Sequence, residues 1–268
     1  SSTLQHTLDN INQPLISVIT VVLNGDTFIE ETILSIQKQS YENIEFIIID
    51  GGSSDQTINI IKKYEHLIDT WISEPDDGIY YAMNKGASLA KGSFLCFLNS
   101  SDGYYPNTIE NFATKLIDNN YDYSFGPAVI QNEAGEEVRI SHPLQYNELF
   151  SSAYTPMPSP HLAVFIKKSF FIELEGYDTN FLLSADYDLL LRMIKKSKKI
   201  FYFTDPVGFF KLGGVSNSIN GLLENYRVMQ VHRVSLYLRL TITIKFILRH
   251  FLKKILPLKI LTYIQSQK

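Results

Sequence analysis

Four short polar stretches in this chain each follow an apolar run, and their side chains are of the types that hold charged ligands. They are Asn24, Asp50, Glu74 to Asp77, and Asn99 to Asp102. A carboxylate at one such tip can accept a hydrogen bond from a ribose hydroxyl or a base N–H. A carboxylate at another can hold a divalent cation, which takes hard oxygen ligands. Each tip by itself is equally readable as turn chemistry, since Asn, Asp and Ser also bond their own backbone. Gathered on one rim, four of them favour a shared site. Further along, Asp186 opens a helical pattern, and His161 follows the prolines Pro156, Pro158 and Pro160. A carboxylate held beside a hydroxyl can take its proton, although an acid in a first helical turn also simply complements the helix dipole. A lone His after prolines equally satisfies a loop.

Bringing such tips together requires a sheet whose strands end on one edge. Residues 16–23, 44–49 and 94–98 are nearly unbroken apolar runs and read as strands covered on both faces. Residues 71–75 read as a shorter strand between them. Phe28, Ile29, Thr32, Ile33 and Ile36 recur at helical spacing; Ile58 and Ile61 continue a helix to Tyr64 for which Ser54 is the expected N-cap. A third helix is expected over 79–89, and a fourth from Pro106, at the first helical position, to about 119. The order is β-α-β-α-β-α-β with short connections, which predicts a mostly parallel sheet flanked by helices. In such sheets ligands bind at the carboxyl ends of the strands. Neither Gly-x-Gly-x-x-Gly nor a Gly-Lys-Ser/Thr loop occurs, so a phosphate here is held by another device. The second half predicts a hairpin over 129–140 broken at Asn132 to Gly135, a strand around 162–166, and a helix over 185–196. Asp188 falls on a different side of that last helix from Asp186 and reads as structural.

At 268 residues the chain accommodates one generous α/β domain with an appendage. Its single cysteine, Cys96, lies in a predicted buried strand, so an intrachain disulfide is excluded and a reducing compartment is expected. The first 15 residues lack an apolar core, so no secretory signal is read there. No run of about 18 uncharged apolar residues predicts a membrane span. Net charge is −4, yet residues 236–268 hold seven Lys or Arg and no acid, leaving −11 on the rest. An acidic body argues against a nucleic-acid-binding face. In the tail, Leu240, Ile244, Ile247, Leu248, Phe251 and Ile255 share one helical face. Lys245, Arg249, His250, Lys253 and Lys254 occupy the other, and Pro257 follows. That division predicts a helix lying in a membrane interface, with packing on the catalytic domain or in a homodimer as the rival.

The ordered set formed by residues 16–20, Asp50 to Asp55, Glu74 to Gly86 and Leu98 to Asp102, with Gly176-Tyr177-Asp178 and Ser184 to Arg192 behind it, resembles glycosyltransferase family 2. The resemblance spans roughly 14–216. It implies the GT-A fold (a Rossmann-like, mostly parallel α/β sheet) and an inverting, metal-dependent transfer from a nucleotide sugar, most similar to bacterial O-antigen or surface-polysaccharide enzymes. The implied organisation is a catalytic domain over 1–225, with donor half 14–125 and acceptor half 126–216, and a helical tail over 226–268. A UDP-sugar donor, Mg²⁺ or Mn²⁺, a lipid-linked glycan acceptor and a peripheral site at the cytoplasmic face of the inner membrane are implied with it. Residue by residue, Asp50 would contact the nucleotide base or ribose, and Val22, Asn24, Asn84, Lys85, Asn99 and Ser100 would face the donor. Asp102 would hold the metal, Asp186 would be the general base, and His161 would contact acceptor or diphosphate. Gly213 to Ser216 resembles a loop closing over the donor.

Two positions depart from that pattern. Relatives often carry Asp-x-Asp at the central tip, where Asn99 and Ser101 leave Asp102 as the one anionic ligand, and Tyr81 stands where relatives tend to have Asp. A sugar-phosphate nucleotidyltransferase is a second reading, but Asn24-Gly25-Asp26 lacks the Gly-rich basic loop it would need. A non-catalytic nucleotide-sugar-binding scaffold is a third, drawn from the thinned metal motif.

Overall fold

The computed structural model describes residues 13–118, 120–145, 148, 157–211 and 218–255. Pro156, Gly213 to Ser216 and Pro257 lie outside them, as do the side chains of Arg249, His250, Phe251, Lys253, Lys254 and Ile255. Strands β1 (Ile16–Val22), β2 (Ile44–Asp50), β3 (Thr70–Ser73) and β4 (Phe94–Asn99) run parallel in the order β3-β2-β1-β4. Between them run helices α1 (Ile29–Gln37), α2 (Thr57–Lys63) and α3 (Ile79–Leu89), with the short strand β5 (Gly103–Tyr104) and α4 (Thr108–Asp118) after β4. The first half thus has the expected order. Two boundaries shift for local reasons. α2 begins at Thr57, whose N–H is taken by Asp55 Oδ1, while the Ser54 N–H turns to Asn24 Oδ1. α4 begins at Thr108, because Pro106 is held in the preceding turn, where its carbonyl accepts from the Ser40 N–H.

The second half completes the sheet in an order that periodicity did not foresee. Strands β6 (Tyr123–Phe125), β9 (Phe165–Lys167) and β10 (Ile200–Tyr202) extend it to β10-β6-β9-β4-β1-β2-β3. β9 runs against both β4 and β6, so the sheet is mixed: six strands point one way and one opposes them. The strand expected around 162–166 begins instead as a 3-10 turn, His161–Ala163, and becomes extended only at Phe165. The predicted hairpin forms as β7 (Ala128–Gln131) and β8 (Glu137–Ser141) and joins β5 and β11 (Gly208–Lys211) in a second sheet. Helices α5 (Lys168–Glu173), α6 (Ala185–Lys196), α7 (Ile219–Val231) and α8 (Leu236–Ile255) follow. α7 runs unbroken through residue 225, where the sequence suggests a domain edge.

Alternation along the strands splits the core. Ile16, Val18 and Val22 face Ile29 and Ile33 of α1, Ile61 of α2 and Phe112 of α4. Ile19 and Val21 face Met83 of α3, Leu190 of α6, Val228 of α7 and Ile242 of α8. Covering both faces is why the central strands carry no polar alternation. Gly86 lets α3 sit close on β1, since a Cβ there would lie 2.4 Å from Ile19 Cγ2.

The C-terminal helices are amphipathic in an unexpected way. α8 packs through Leu238 and Ile242, whereas Leu240, Ile244, Ile247 and Leu248 stay 46–55% exposed. These four residues of the predicted apolar stripe therefore face solvent, and different residues seat the helix. Among the described residues no helix is long and apolar enough to cross a membrane.

Candidate active site

Register places the tips. Val22 pairs with Asp50, Asp50 with Ser73, and Val21 with Asn99, so the ends of four strands are level on one edge to within a residue. Hydrogen bonds then knit the loops together. Asn24, at φ 51°, takes the Ser54 N–H on its Oδ1 and donates its own N–H to Ser53 Oγ. The Val22 side chain is buried and its carbonyl accepts from Gly51 N–H.

Asp50 is fully buried, and its carboxylate is already engaged. Oδ2 accepts from the Gly52 and Ser53 N–H groups and from Ser73 Oγ, and Oδ1 accepts from Ser53 Oγ. The side chain expected to touch a nucleotide shapes the loop around residues 51–53 instead. Asn84, also expected at the donor, turns its amide onto Tyr177, donating to the carbonyl at 2.9 Å and accepting from the N–H at 3.0 Å. Gly176, at φ 66°, allows that clamp, because a Cβ would lie 2.7 Å from Asn84 Oδ1. Lys85 remains at the edge, ion-paired with Glu74. Tyr81 is 42% exposed.

The central tip has the character of a cation or phosphate site. Asp102 is buried, and its carboxylate takes a long bond from Ser101 Oγ at 3.3 Å, with Asn99 donors close by. Burial pushes its carboxyl up to about 7, against the partial relief of neighbouring donors and the Lys211 charge. Asn99 Oδ1 is buried without a hydrogen-bond partner, and Ser100 is half-buried beside it. An under-satisfied carboxylate next to an orphaned amide oxygen fits a hard divalent ion. The fit is partial, since among the described residues no group of three or more His, Cys, Asp or Glu converges. The protein would therefore supply one carboxylate and an amide oxygen, with diphosphate and water completing the shell, as Mg²⁺ commonly prefers.

A second cluster gathers around Phe97. Phe97 and Asn99, two apart in β4, share a face of the sheet. On that face His161 stacks at 5.9 Å from Phe97, and Tyr177 meets Phe97 edge-on at 5.1 Å. His161 Nε2 lies 2.7 Å from the Tyr177 hydroxyl. Burial holds the Tyr177 phenol well above its usual range and lowers the imidazole's, so the contact joins a protonated phenol and a neutral ring. Asp186 stands in the first turn of α6, where its Oδ1 accepts from the Tyr80 hydroxyl and the Tyr187 N–H, each at 2.8 Å. Tyr80 went unnoticed in the sequence because an aromatic at helical spacing reads as core. Its neighbour Tyr81 points outward, so the pair Tyr80-Tyr81 carries no periodic mark of which one matters.

Asp188 is structural. It is buried, and its carboxylate accepts from Arg192 at 2.8 Å and meets His232 Nε2 at 2.7 Å. Arg192 in turn donates to the Leu174 and Gly176 carbonyls, fixing the turn that presents Tyr177. Burial opposes the charge, but the His232 and Arg192 contacts prevail and hold the Asp188 carboxyl below its usual range. Stability from such a group is present above the unfolded value and lost as pH falls through the folded one. Asp188→Ala removes a buried carboxylate, leaving a half-buried Arg192 guanidinium and a buried His232 without it, and is expected to cost about 3 kcal/mol. Thermal melts at neutral pH read this directly, and a variant melting with the wild type would show that the triad holds nothing.

A sheet with its polar strand ends on one rim, and a carboxylate-bearing helix across from them, defines a group-transfer enzyme of the GT-A-like α/β class. The chain belongs to glycosyltransferase family 2, whose description, "Glycosyl transferase family 2", matches residues 17–178; it is a glycosyltransferase. An uncharacterised glycosyltransferase of Mycobacterium tuberculosis is 31% identical over 182 residues, 67% of this chain and 68% of that protein. A PGL/p-HBAD biosynthesis glycosyltransferase of Mycobacterium bovis is 26% identical over 77% of this chain and 80% of its own length. Among solved structures, S. aureus TarS 1-349 in complex with UDP-GlcNAc shares the fold at TM-score 0.63 and 17% identity, over 88% of this chain and 72% of that one. Another TarS 1-349 crystal structure is matched over 64% of its length. The mannosyltransferase PcManGT from Pyrobaculum calidifontis, in complex with GDP-Man and Mn²⁺, gives TM-score 0.60 at 16% identity, over 95% and 79% of the two chains.

Proposed function

We propose that the protein transfers a sugar, with inversion, from a UDP-sugar to a hydroxyl of a lipid-linked glycan, as a step in building a bacterial surface polysaccharide of the O-antigen kind. The observation that carries this reading is the Asp186 carboxylate in the first turn of α6, its Oδ1 held by Tyr80 and Tyr187, taken together with the buried Asn99 Oδ1 and the buried Asp102 beyond the end of β4. One base and no protein nucleophile favours a single displacement at the anomeric carbon. UDP and UDP-GlcNAc in TarS, and GDP-Man with Mn²⁺ in PcManGT, support a nucleotide-sugar donor and a divalent ion. The mycobacterial relative's role in PGL/p-HBAD biosynthesis supports a surface-glycan setting.

In this scheme the backbone of residues 51–53, shaped by Asp50 and by the Asn24 contacts, meets the nucleoside, and Val22 forms the floor. Lys85 exchanges Glu74 for a donor phosphate, and Ser100 and Asn99 line the diphosphate. Asp102 would hold Mg²⁺ or Mn²⁺, which when bound neutralises charge on the leaving diphosphate. Asp186 takes the acceptor proton. His161 contacts diphosphate or acceptor through the ring nitrogen not bonded to Tyr177, and Asn84 acts through Tyr177.

Thermal unfolding with a panel of nucleotide sugars tests the donor assignment. The correct donor at about 100 times its Kd adds about 2.7 kcal/mol. UDP release with that donor and a polyprenyl-diphosphate-linked N-acetylglucosamine tests transfer. No shift with any nucleotide sugar, or a shift without UDP release, overturns the function in favour of another donor class or a binding scaffold.

The exposed apolar residues of α8, in a segment with seven basic residues and no acid, support peripheral contact with an anionic lipid surface on the cytoplasmic side. Ile244→Asp with Leu248→Asp is expected to abolish co-sedimentation with anionic vesicles while leaving the melting temperature unchanged. Equal sedimentation of variant and wild type would remove the tail as anchor, and wild-type dimerisation lost in the variant would assign the face to a homodimer.

A further inference from the structure

We propose that Tyr80 is a positioning residue for the base, holding Asp186 so that Oδ2 is the oxygen presented to the acceptor hydroxyl. This rests on Asp186 being the general base. A carboxylate has two oxygens with about four lone-pair sites. Oδ1 already receives two hydrogen bonds, from the Tyr80 hydroxyl and the Tyr187 N–H, whereas among the described residues Oδ2 receives none. With Oδ1 held from two directions, the carboxylate's rotation is set and one oxygen is left open for chemistry.

Tyr80 itself has little freedom. It is 7% exposed, and its ring lies 5.4 Å from that of Tyr177. Asn84, one helical turn further along α3, clamps the Tyr177 backbone at both N–H and carbonyl. One helix therefore grips the base through Tyr80 and the turn ahead of the base helix through Asn84. The same helix begins at Ile79, directly after the Glu74 to Gly78 loop of the donor rim. Donor loop and base oxygen thus share one rigid frame, the condition for a reproducible attack geometry.

In the transfer, the acceptor O–H proton passes to Asp186 Oδ2 as the acceptor oxygen bonds the anomeric carbon. The bond from that carbon to the diphosphate breaks, and the electron pair leaves with the diphosphate. Tyr80 keeps its proton throughout, and burial, with the Asp186 charge behind it, pushes its phenol well above the usual range.

The test is Tyr80→Phe, assayed by UDP release from the UDP-sugar that the stability panel selects, with the polyprenyl-linked acceptor and with water. Loss of orientation is expected to lower kcat about tenfold to a hundredfold. Acceptor KM and the donor-induced thermal shift should stay as in the wild type, since the phenol touches neither substrate. Asp186→Asn is run alongside. If it stays active, the base assignment fails and Tyr80 has nothing to position. If it is inactive while Tyr80→Phe retains full kcat, or loses only KM, the positioning role alone is overturned. A fluorinated tyrosine placed at position 80 keeps the ring packing and changes the donor strength of the hydroxyl. A kcat indifferent to it overturns the role even if the Phe variant folds poorly.

Discussion

Asp186→Asn is expected to lower kcat by about 10²–10⁴, the usual contribution of a positioned general base, while donor affinity stays as in the wild type. Among the described residues the carboxylate takes its hydrogen bonds through Oδ1 alone. An amide can keep those two contacts through its own oxygen, so the fold is retained and the loss falls on turnover. A neighbouring variant sharpens the result. Asp188→Asn disturbs a buried contact to Arg192 and His232, so it should lower the melting temperature first and activity less. Turnover in Asp186→Asn above about a tenth of wild type would move the base elsewhere.

Asp102→Asn should do two opposite things. In the metal-free protein it is expected to raise stability at alkaline pH, and in the assay it should remove divalent-dependent turnover. The sign follows from proton counting. Burial raises the Asp102 carboxyl to about 7 in the fold, above the 3.8 of an exposed group. Between those values the folded state binds more protons than the unfolded one, so stability falls as pH rises through that window and stays lower above it. At full ionisation the difference is worth up to about 4 kcal/mol. Asn cannot ionise, so the variant escapes this loss, and its curve should separate from wild type between about pH 4 and pH 7 and run parallel above that. Mn²⁺ added with nucleotide should close the gap by stabilising only the wild type. Parallel pH curves would show that Asp102 is no strained carboxylate. Full wild-type activity in EDTA would show that the diphosphate charge is met by a basic side chain such as Lys85.

What could be read from the chain alone was whatever leaves a local periodic signature. β1, β2 and β4 were legible because a strand covered on both faces must be apolar at every position, and α6 because eight of its twelve residues are buried along a regular stripe. The polar residues that stop those strands were legible for the same reason, and the register of β1 with β2 and β4 then gathered them on one edge. The mixed sheet was not legible. β6, β9 and β10 have three residues each, too few for a phase to show, and their places depend on pairing with strands far away in sequence. The direction of polar side chains was also decided only in three dimensions. Asn84 reaches Tyr177, 93 residues on, and Tyr80 reaches Asp186, 106 residues on. Asp50 has its lone pairs taken by its own loop and by Ser73. Residue type and spacing determined which groups could do chemistry near this edge. Which of them face a ligand and which brace the others depends on competing hydrogen-bond partners, and those are chosen when the distant segments pack.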